Sequence, residues 1–453
     1  MMMKLGDARF FRRATAIDTG SLRAPPESAG PASPGGGLAQ TAPRVSEVDL
    51  KGRLPSTAFA FRGYDVTNLG RSLELLEHAV YGPVVRRVLD QVSEISSEAV
   101  GEKIDLASYI RANEASSLAT FTHDVATIVA MEMAQLQILE EVFDVPIRKV
   151  RLSFGYSVGE VSALIYGGVF SIEQLLPVPL GCCRDCAELA ADTSLGVLFT
   201  RRGSLPIEDV ERLCLAIRGE GKGLIGPSAY LTPNTALILG QGDTLDRLER
   251  AIPVFLPEKT HLRRNPNRWP PLHSPLVWQR HIPNRTAVAL YRIEGAAKKP
   301  EPTILSCVTG SALDDVLHTR ELLVRWTDHP QRLWDVIDAT LASGVDSIIH
   351  VGPAPKLIAA TFTRLANNVG RYLGNGYLHV LGRGLVNGMT RHSWLARLLP
   401  SRSALLRAPY VVHVMLEDWL LEQQVPRATA VSLATATPEP GEHVTPDQPA
   451  TSA

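Results

Sequence analysis

The chain has 453 residues, 45% of them hydrophobic and 21% charged, an ordinary globular composition long enough to bury a large core. Its formal net charge of −1 excludes binding of nucleic acid or an anionic membrane by bulk charge, so a charged partner must be met by a local patch. The five cysteines (Cys182, Cys183, Cys186, Cys214 and Cys307) are odd in number and unevenly spaced, which argues against a disulfide framework and for a reducing compartment.

In chain order, Arg12 and Arg13 are followed by no apolar h-region, and no uncharged apolar run of roughly 18 residues occurs. The expected location is the cytoplasm, with no membrane span. From about Gly20 to Ser46 the chain is rich in Pro, Gly, Ala and Ser, too poor in large apolar groups to offset chain entropy, and Ala428 to Ala453 is similar. Disordered tails are therefore expected over 1–56 and 428–453. Between them, short apolar runs alternate with longer amphipathic stretches, the texture of an α/β protein. The first such elements are FAF at 59–61, a helical stretch at 71–91, another from Leu118 to Phe143, and the strand-like KVRLSF.

A second texture covers 195–261. GVLFT, a polar helix from Ile207 to Arg218, GLIGPSAYLTPN, TALILG and the helix DTLDRLERAI make a β-α-β-β-α-like run, which reads as a small subdomain inserted into a large domain spanning 57–194 and 262–371. In the second half of the large domain, TILSCVTG and SIIHVG read as strands with RLWDVIDATLA as a helix between them. Residues 372–427, with a glycine-broken stretch through Gly388 and an apolar helical stretch near Val411 to Leu421, read as a C-terminal extension.

The strongest local signal is Gly155-Tyr156-Ser157-Val158-Gly159-Glu160, a G-x-S-x-G placed after the alternating Val150, Leu152 and Phe154 and before the helix-like VSALIYGG. This strand-turn-helix context is what a nucleophile elbow requires, because side chains in place of the glycines would collide with the strand and helix of so tight a turn. A helix N-terminus behind Ser157 would aim backbone N–H groups at an oxyanion, with the amide of Val158 as first donor. Serine needs a base at neutral pH. Among twelve histidines, His273 stands in a loop fixed by prolines, Pro270-Pro271-Leu272-His273-Ser274-Pro275. Cys183-Arg184-Asp185-Cys186 has CxxC spacing, but no second ligand pair lies at a zinc-site distance, so packing thiols and no metal are expected.

These residues resemble a known family. Gly155 to Glu160 resembles the GHSxGE motif of the malonyl-CoA:acyl-carrier-protein transacylases and of the acyltransferase domains of polyketide and fatty acid synthases, and His273-Ser274-Pro275-Leu276 resembles that family's catalytic histidine segment. Phe61-Arg62-Gly63 falls where the family has FPGQGSQ, Thr232-Pro233 to Gly240 resembles its NSPGQVVISG strand, and Val351-Gly352-Pro353 resembles its EVGPG. The resemblance runs from about Ala58 to Arg371. It implies an α/β-hydrolase-like large domain with an inserted ferredoxin-like small subdomain. It also implies ping-pong transfer of a malonyl-type group from coenzyme A to the phosphopantetheine thiol of an acyl carrier protein, in fatty acid or polyketide synthesis. Ser157 would be the nucleophile and His273 its base, oriented by backbone carbonyls, with the backbone N–H groups of Val158 and Tyr64 as the oxyanion donors. No cofactor is implied beyond the substrate thioester and the acceptor's own phosphopantetheine, and a monomer is the implied state.

The chain departs from the family at several points. Tyr156 replaces the motif histidine, and the FPGQGSQ segment becomes Phe61-Arg62-Gly63-Tyr64-Asp65-Val66-Thr67, losing a glycine and both glutamines. Leu231 and Thr235 replace family Asn and Gln positions, and His350 replaces the Glu of EVGPG. The family arginine that clamps the malonyl carboxylate falls by spacing on Cys182; Arg184 takes the role if the LLPVPL segment holds a two-residue insertion. Arg263, Arg264 and Arg268 precede His273 and form either a solvated face or a patch steering an acidic carrier protein. Gly219-x-Gly221 and Gly240-x-Gly242 read as turns, and His329 and His350 as capping or packing residues. Two other functions use the same residues: an acyl-CoA or ester hydrolase with the same Ser-His pair, and a weakly active carrier-protein-binding module.

Overall fold

The computed structural model describes residues 49–377, 393–398 and 402–425, apart from 202, 296 and 315–317. Its main sheet is assembled from β1 (Thr57–Phe61), β2 (Leu152–Gly155), β7 (Thr303–Ser306), β8 (Ser311–Ala312), β9 (Ser347–Val351) and β10 (Val412–Met415), in the order β10-β9-β1-β2-β7-β8. All pairs are parallel except that of β7 with β8. β1 and β9 are buried along their whole length, as central parallel strands covered on both faces must be. Successive side chains alternate faces. Phe59 and Phe61 join a core with the helices Gly82–Val100, Phe121–Glu141 and Val158–Tyr166, while Ala58, Ala60, Leu152 and Phe154 meet the helices Leu333–Ala342 and Leu357–Tyr377. Phe121–Glu141 is buried nearly all round and forms the hub of the first layer.

A second sheet, of β3 (Thr193–Thr200), β4 (Ile225–Thr232), β5 (Thr235–Gln241) and β6 (Thr260–Arg268), is antiparallel throughout and ordered β4-β5-β3-β6. The helices Ile207–Gly219 and Thr244–Phe255 cover one of its faces through Leu198, Ala236 and Ile238. The whole is an α/β-hydrolase-like domain carrying a ferredoxin-like β-α-β-β-α-β unit.

Three boundaries move. Ordered structure begins before residue 57, because Leu50–Arg53 is a helix capped by Asp49 and followed by the turn Leu54–Ser56, with Leu50 and Leu54 buried. The small unit continues past His261, since β6 runs on to Arg268. The stretch expected to be a helical C-terminal extension supplies β10 and then the helix Leu416–Glu422, so it completes the main sheet beside β9. The expected tails before Asp49 and from Ala428 onward lie outside the described residues. Among the described residues no helix is long and apolar enough to cross a membrane.

The β9–β10 pairing brings the buried His350 and the half-buried His413 together. His350 Nε2 and His413 Nδ1 share a hydrogen bond of 2.9 Å with the rings stacked. Their outer ring nitrogens have no partner among the described residues. Burial pushes His413 down to about 4 and, with the neighbouring ring, holds His350 well below its ordinary value. Folded values below the unfolded one mean that the neutral pair stabilises the protein fully above the ordinary histidine value. That contribution is lost as pH falls through the window towards 4. The urea midpoint is therefore expected to drop between about pH 7 and pH 5, and to drop less in the double variant His350→Leu/His413→Leu. Equal drops would contradict this account.

Candidate active site

Phe61 of β1 lies beside Gly155 of β2, so the loops leaving both strands emerge together at the carboxyl edge of the sheet. Ser157 occupies the turn from β2 into the helix Val158–Tyr166 with φ 57° and ψ −122°, a conformation that L-residues hold only when the surroundings impose it. The glycines show how crowded that turn is. A Cβ on Gly155 would overlap the backbone of Gly159, and one on Gly159 would overlap the carbonyls of Phe61 and Arg62. A Cβ on Gly63 would stand 2.7 Å from the Tyr156 carbonyl oxygen and 3.1 Å from Ser157 Cβ. The β1 loop thus lies against the nucleophile, with Tyr64 the next residue. At the other side, Val158 is the first residue of its helix, where a backbone N–H has no intrahelical acceptor.

His273 reaches this turn from a distant loop. Its Nε2 is 2.7 Å from Ser157 Oγ and its Nδ1 is 2.6 Å from the Trp326 carbonyl oxygen. That carbonyl accepts only from N–H, which fixes the proton on Nδ1 and leaves Nε2 as the acceptor facing the serine hydroxyl. His273 itself has φ 63°, another strained position, and is held by its backbone N–H donating to Thr327 O at 2.7 Å. Burial pushes the imidazole down to about 4, and the Trp326 carbonyl opposes that shift only in part. The ring is neutral at physiological pH and can accept a proton.

Sequence reasoning overlooked the segment that holds this pair together. The Trp326 indole donates to the Ser157 carbonyl at 2.9 Å while its ring meets His273 edge to face. Gln331 Oε1 accepts the Ser157 backbone N–H at 3.2 Å, and Gln331's own backbone pairs with Ser228 and Tyr230 of β4. No local motif marks either residue, since their partners in the elbow lie 169 and 174 positions away.

The rewritten loop after β1 has a network of its own. The Arg62 backbone N–H donates to Glu132 Oε1 at 2.7 Å, and its guanidinium donates to the carbonyls of Gly63, Thr67 and Pro353 and to Asn68 Oδ1. Asn68 closes the turn through Asp65 N–H and Asp65 O. Backbone donors are thereby held in place without the family's glutamines. Burial raises the carboxyls of Glu132 and Glu160 to about 8; Glu160, which ends the elbow motif, accepts from Ser306 Oγ.

Ser157 and His273 open into a cavity of about 520 Å³ between the two sheets. One wall is the uncovered face of the small sheet, with Leu195, Val197 and Phe199 of β3 and Leu237 of β5; the other includes Tyr64, Leu272 and Ile358. Arg184 is not part of it. Cys182 and Arg184 both stand on the helix Pro177–Ala190, where two positions turn a side chain by about 200°. Cys182 therefore packs inward against Thr286, whereas Arg184 is exposed and absent from the cavity wall, which corrects its assignment as a substrate-binding residue. Of the arginines before His273, Arg264 pairs with Asp246 and Glu249 and Arg268 donates to Ser194, leaving Arg263 to line the cavity together with the exposed Lys356 and Arg364.

The fold matches solved acyltransferases over about two thirds of the chain. The malonyl transacylase of Streptococcus pneumoniae aligns with a TM-score of 0.55 at 20% identity, covering 68% of this chain and 92% of that one. The chain has the fold of the malonyl-CoA:acyl carrier protein transacylases. An acyl carrier protein S-malonyltransferase from Vibrio cholerae has a TM-score of 0.54 at 19% identity, with the same coverages of 68% and 92%. A type II polyketide synthase carrier protein solved in complex with its malonyl-transacylase gives 0.53 at 19% identity, again covering 68% and 92%. No protein-family model and no curated protein matches the sequence. On this transacylase fold, Trp326→Phe keeps the ring beside His273 and removes only the donor to Ser157. Labelling of the serine by a fluorophosphonate is expected to slow about fivefold, the value of one hydrogen bond, with little change in melting temperature. An unchanged labelling rate would show that the indole does not position the elbow.

Proposed function

We propose that the protein is a serine acyltransferase that takes an acyl group from a coenzyme A thioester and delivers it to the phosphopantetheine thiol of an acyl carrier protein, in fatty acid or polyketide synthesis. The observation that carries this reading is the 2.7 Å contact of Ser157 Oγ with His273 Nε2 at an open cavity, on a transacylase fold. His273 Nε2 takes the serine proton as Oγ attacks the thioester carbonyl, and the N–H groups of Val158 and Tyr64 receive the oxyanion. The C–S bond then breaks, and the departing thiolate recovers the proton from His273. The carrier's thiol repeats these steps in reverse on the acyl-serine, giving its proton to His273 and restoring Ser157. The Trp326 carbonyl keeps the imidazole in register and stabilises the imidazolium that forms at each step.

Arg263, Lys356 and Arg364 at the mouth suit the phosphates of coenzyme A and of phosphopantetheine. A carrier protein is the partner in one solved neighbour, which supports the same kind of partner here. The five free, buried cysteines fit a reducing compartment, and we place the protein in the cytoplasm.

Two measurements test the reading. Because His273 is already neutral well below pH 6, the rate of acyl transfer to a holo carrier protein is expected to stay flat from about pH 6 to pH 8; a rise centred near the ordinary histidine value of 6.5 would contradict it. His273→Ala is expected to slow transfer by about 10²- to 10⁴-fold without loss of fold. Acyl release to water at the same rate with and without carrier protein would make the enzyme a hydrolase instead.

A further inference from the structure

The chemistry of the cavity wall, taken with the acyl-transfer reading on which this inference rests, narrows the substrate. A carboxylate leaving water for an apolar cavity needs a cation with donors to spare, and an unpaired one is strongly disfavoured. Among the described residues four cationic side chains line the cavity, and none of these offers this inside it. Arg62 is buried with every guanidinium nitrogen already donating: Nε to Gly63 O at 2.8 Å, Nη1 to Thr67 O at 3.2 Å and to Pro353 O, and Nη2 to Thr67 O at 3.2 Å and Asn68 Oδ1 at 2.8 Å. Arg263, Lys356 and Arg364 are exposed at the rim, and Lys356 Nζ lies 2.5 Å from Thr67 Oγ1.

Several neutral donors are engaged, while Tyr64, Tyr156, Asn265, Trp269 and Asn368 also line the cavity as neutral groups that cannot balance the charge of a carboxylate. Thr232 and Thr235 donate to Asn234 Oδ1, Asn234 Nδ2 to Thr200 O, and Ser228 Oγ to Leu272 O. Asp65, next to the oxyanion loop, adds a carboxylate to the wall, and its field opposes a second one. The rest of the wall is largely aliphatic and aromatic, with Leu195, Val197, Phe199, Leu231, Leu237 and Leu272. The central strands β3 and β5 present Leu195, Val197, Phe199 and Leu237 by alternation, with Leu198, Ala236 and Ile238 committed to the helices behind the sheet.

We infer that Ser157 accepts an uncharged aliphatic acyl group of short to medium length, in preference to a dicarboxylic acyl group such as malonyl. The rim cations then serve the phosphates of the donor and the sheet face serves the acyl chain. Each methylene buried against that face is expected to raise loading by about fourfold until the cavity is full.

The test is competitive loading of the full-length protein, read by intact mass within the first turnover. The two thioesters are malonyl-CoA and 3-methylbutanoyl-CoA, which carries two methyl groups where malonyl carries two carboxylate oxygens, so shape is nearly constant and charge differs. The branched acyl group is expected to load at least about tenfold faster than malonyl, with no adduct on Ser157→Ala. Malonyl loading at an equal or greater rate overturns the inference while leaving the acyl-serine mechanism standing. In a second arm, Val197→Trp fills the wall and is expected to lower the ratio of hexanoyl to acetyl loading by roughly tenfold; an unchanged ratio overturns the assignment of the small sheet as the acyl wall. No adduct from any thioester would remove the acyltransferase reading itself, and the inference with it.

Discussion

Six consecutive residues, Trp326 to Gln331, hold the site together. The Trp326 carbonyl fixes the tautomer of His273, its indole holds the Ser157 carbonyl, the Thr327 carbonyl anchors the His273 backbone, and Gln331 binds the Ser157 N–H while pairing with β4. Both members of the dyad have positive φ, each costing of order 1–3 kcal/mol, and such strain persists only where several bonds over-determine the geometry. The same segment ties the small sheet to the large one, so the cavity wall and the dyad share one support.

The electrostatics follow a matching division. The buried titratable groups around the dyad are neutral or fully satisfied: His273 is pushed down to about 4, Glu132 and Glu160 are raised to about 8, and Arg62 has no donor left over. Cations with no ion-pair partner among the described residues stand at the rim, where water still reaches them. An interior of this kind strengthens the backbone dipoles aimed at an oxyanion, because little else competes for the developing charge. It also makes the acyl subsite a place for apolar groups.

The elbow was legible in the sequence because its requirements are local: two glycines, a strand before and a helix after, all within a dozen residues. The small unit was legible for the same reason, as five elements in succession. What escaped depends on contacts between distant segments. Trp326 acts through a backbone carbonyl, which every residue type possesses, and Gln331 acts across 174 positions, so neither carries a signature. Arg184 failed because motif spacing says nothing of helix phase unless the helix's start and continuity are known. β10 was read as helix because its four residues adjoin the helix Leu416–Glu422 in one apolar run, and only β9 decides which part pairs. The loop after β1 lacks the glutamines of the family it resembles, and a buried arginine with its own set of bonds holds the turn.

The central claim is that Ser157, activated by His273, carries the acyl group between donor and acceptor. The most direct measurement is peptide mapping of protein mixed with an aliphatic acyl-CoA, quenched in acid within one turnover, and compared with a second sample chased with holo carrier protein. The account predicts one acyl mass on the peptide containing Ser157, lost in the chase as the same mass appears on the carrier's phosphopantetheine. An acyl mass on a cysteine peptide instead, or transfer that persists in Ser157→Ala, would contradict it.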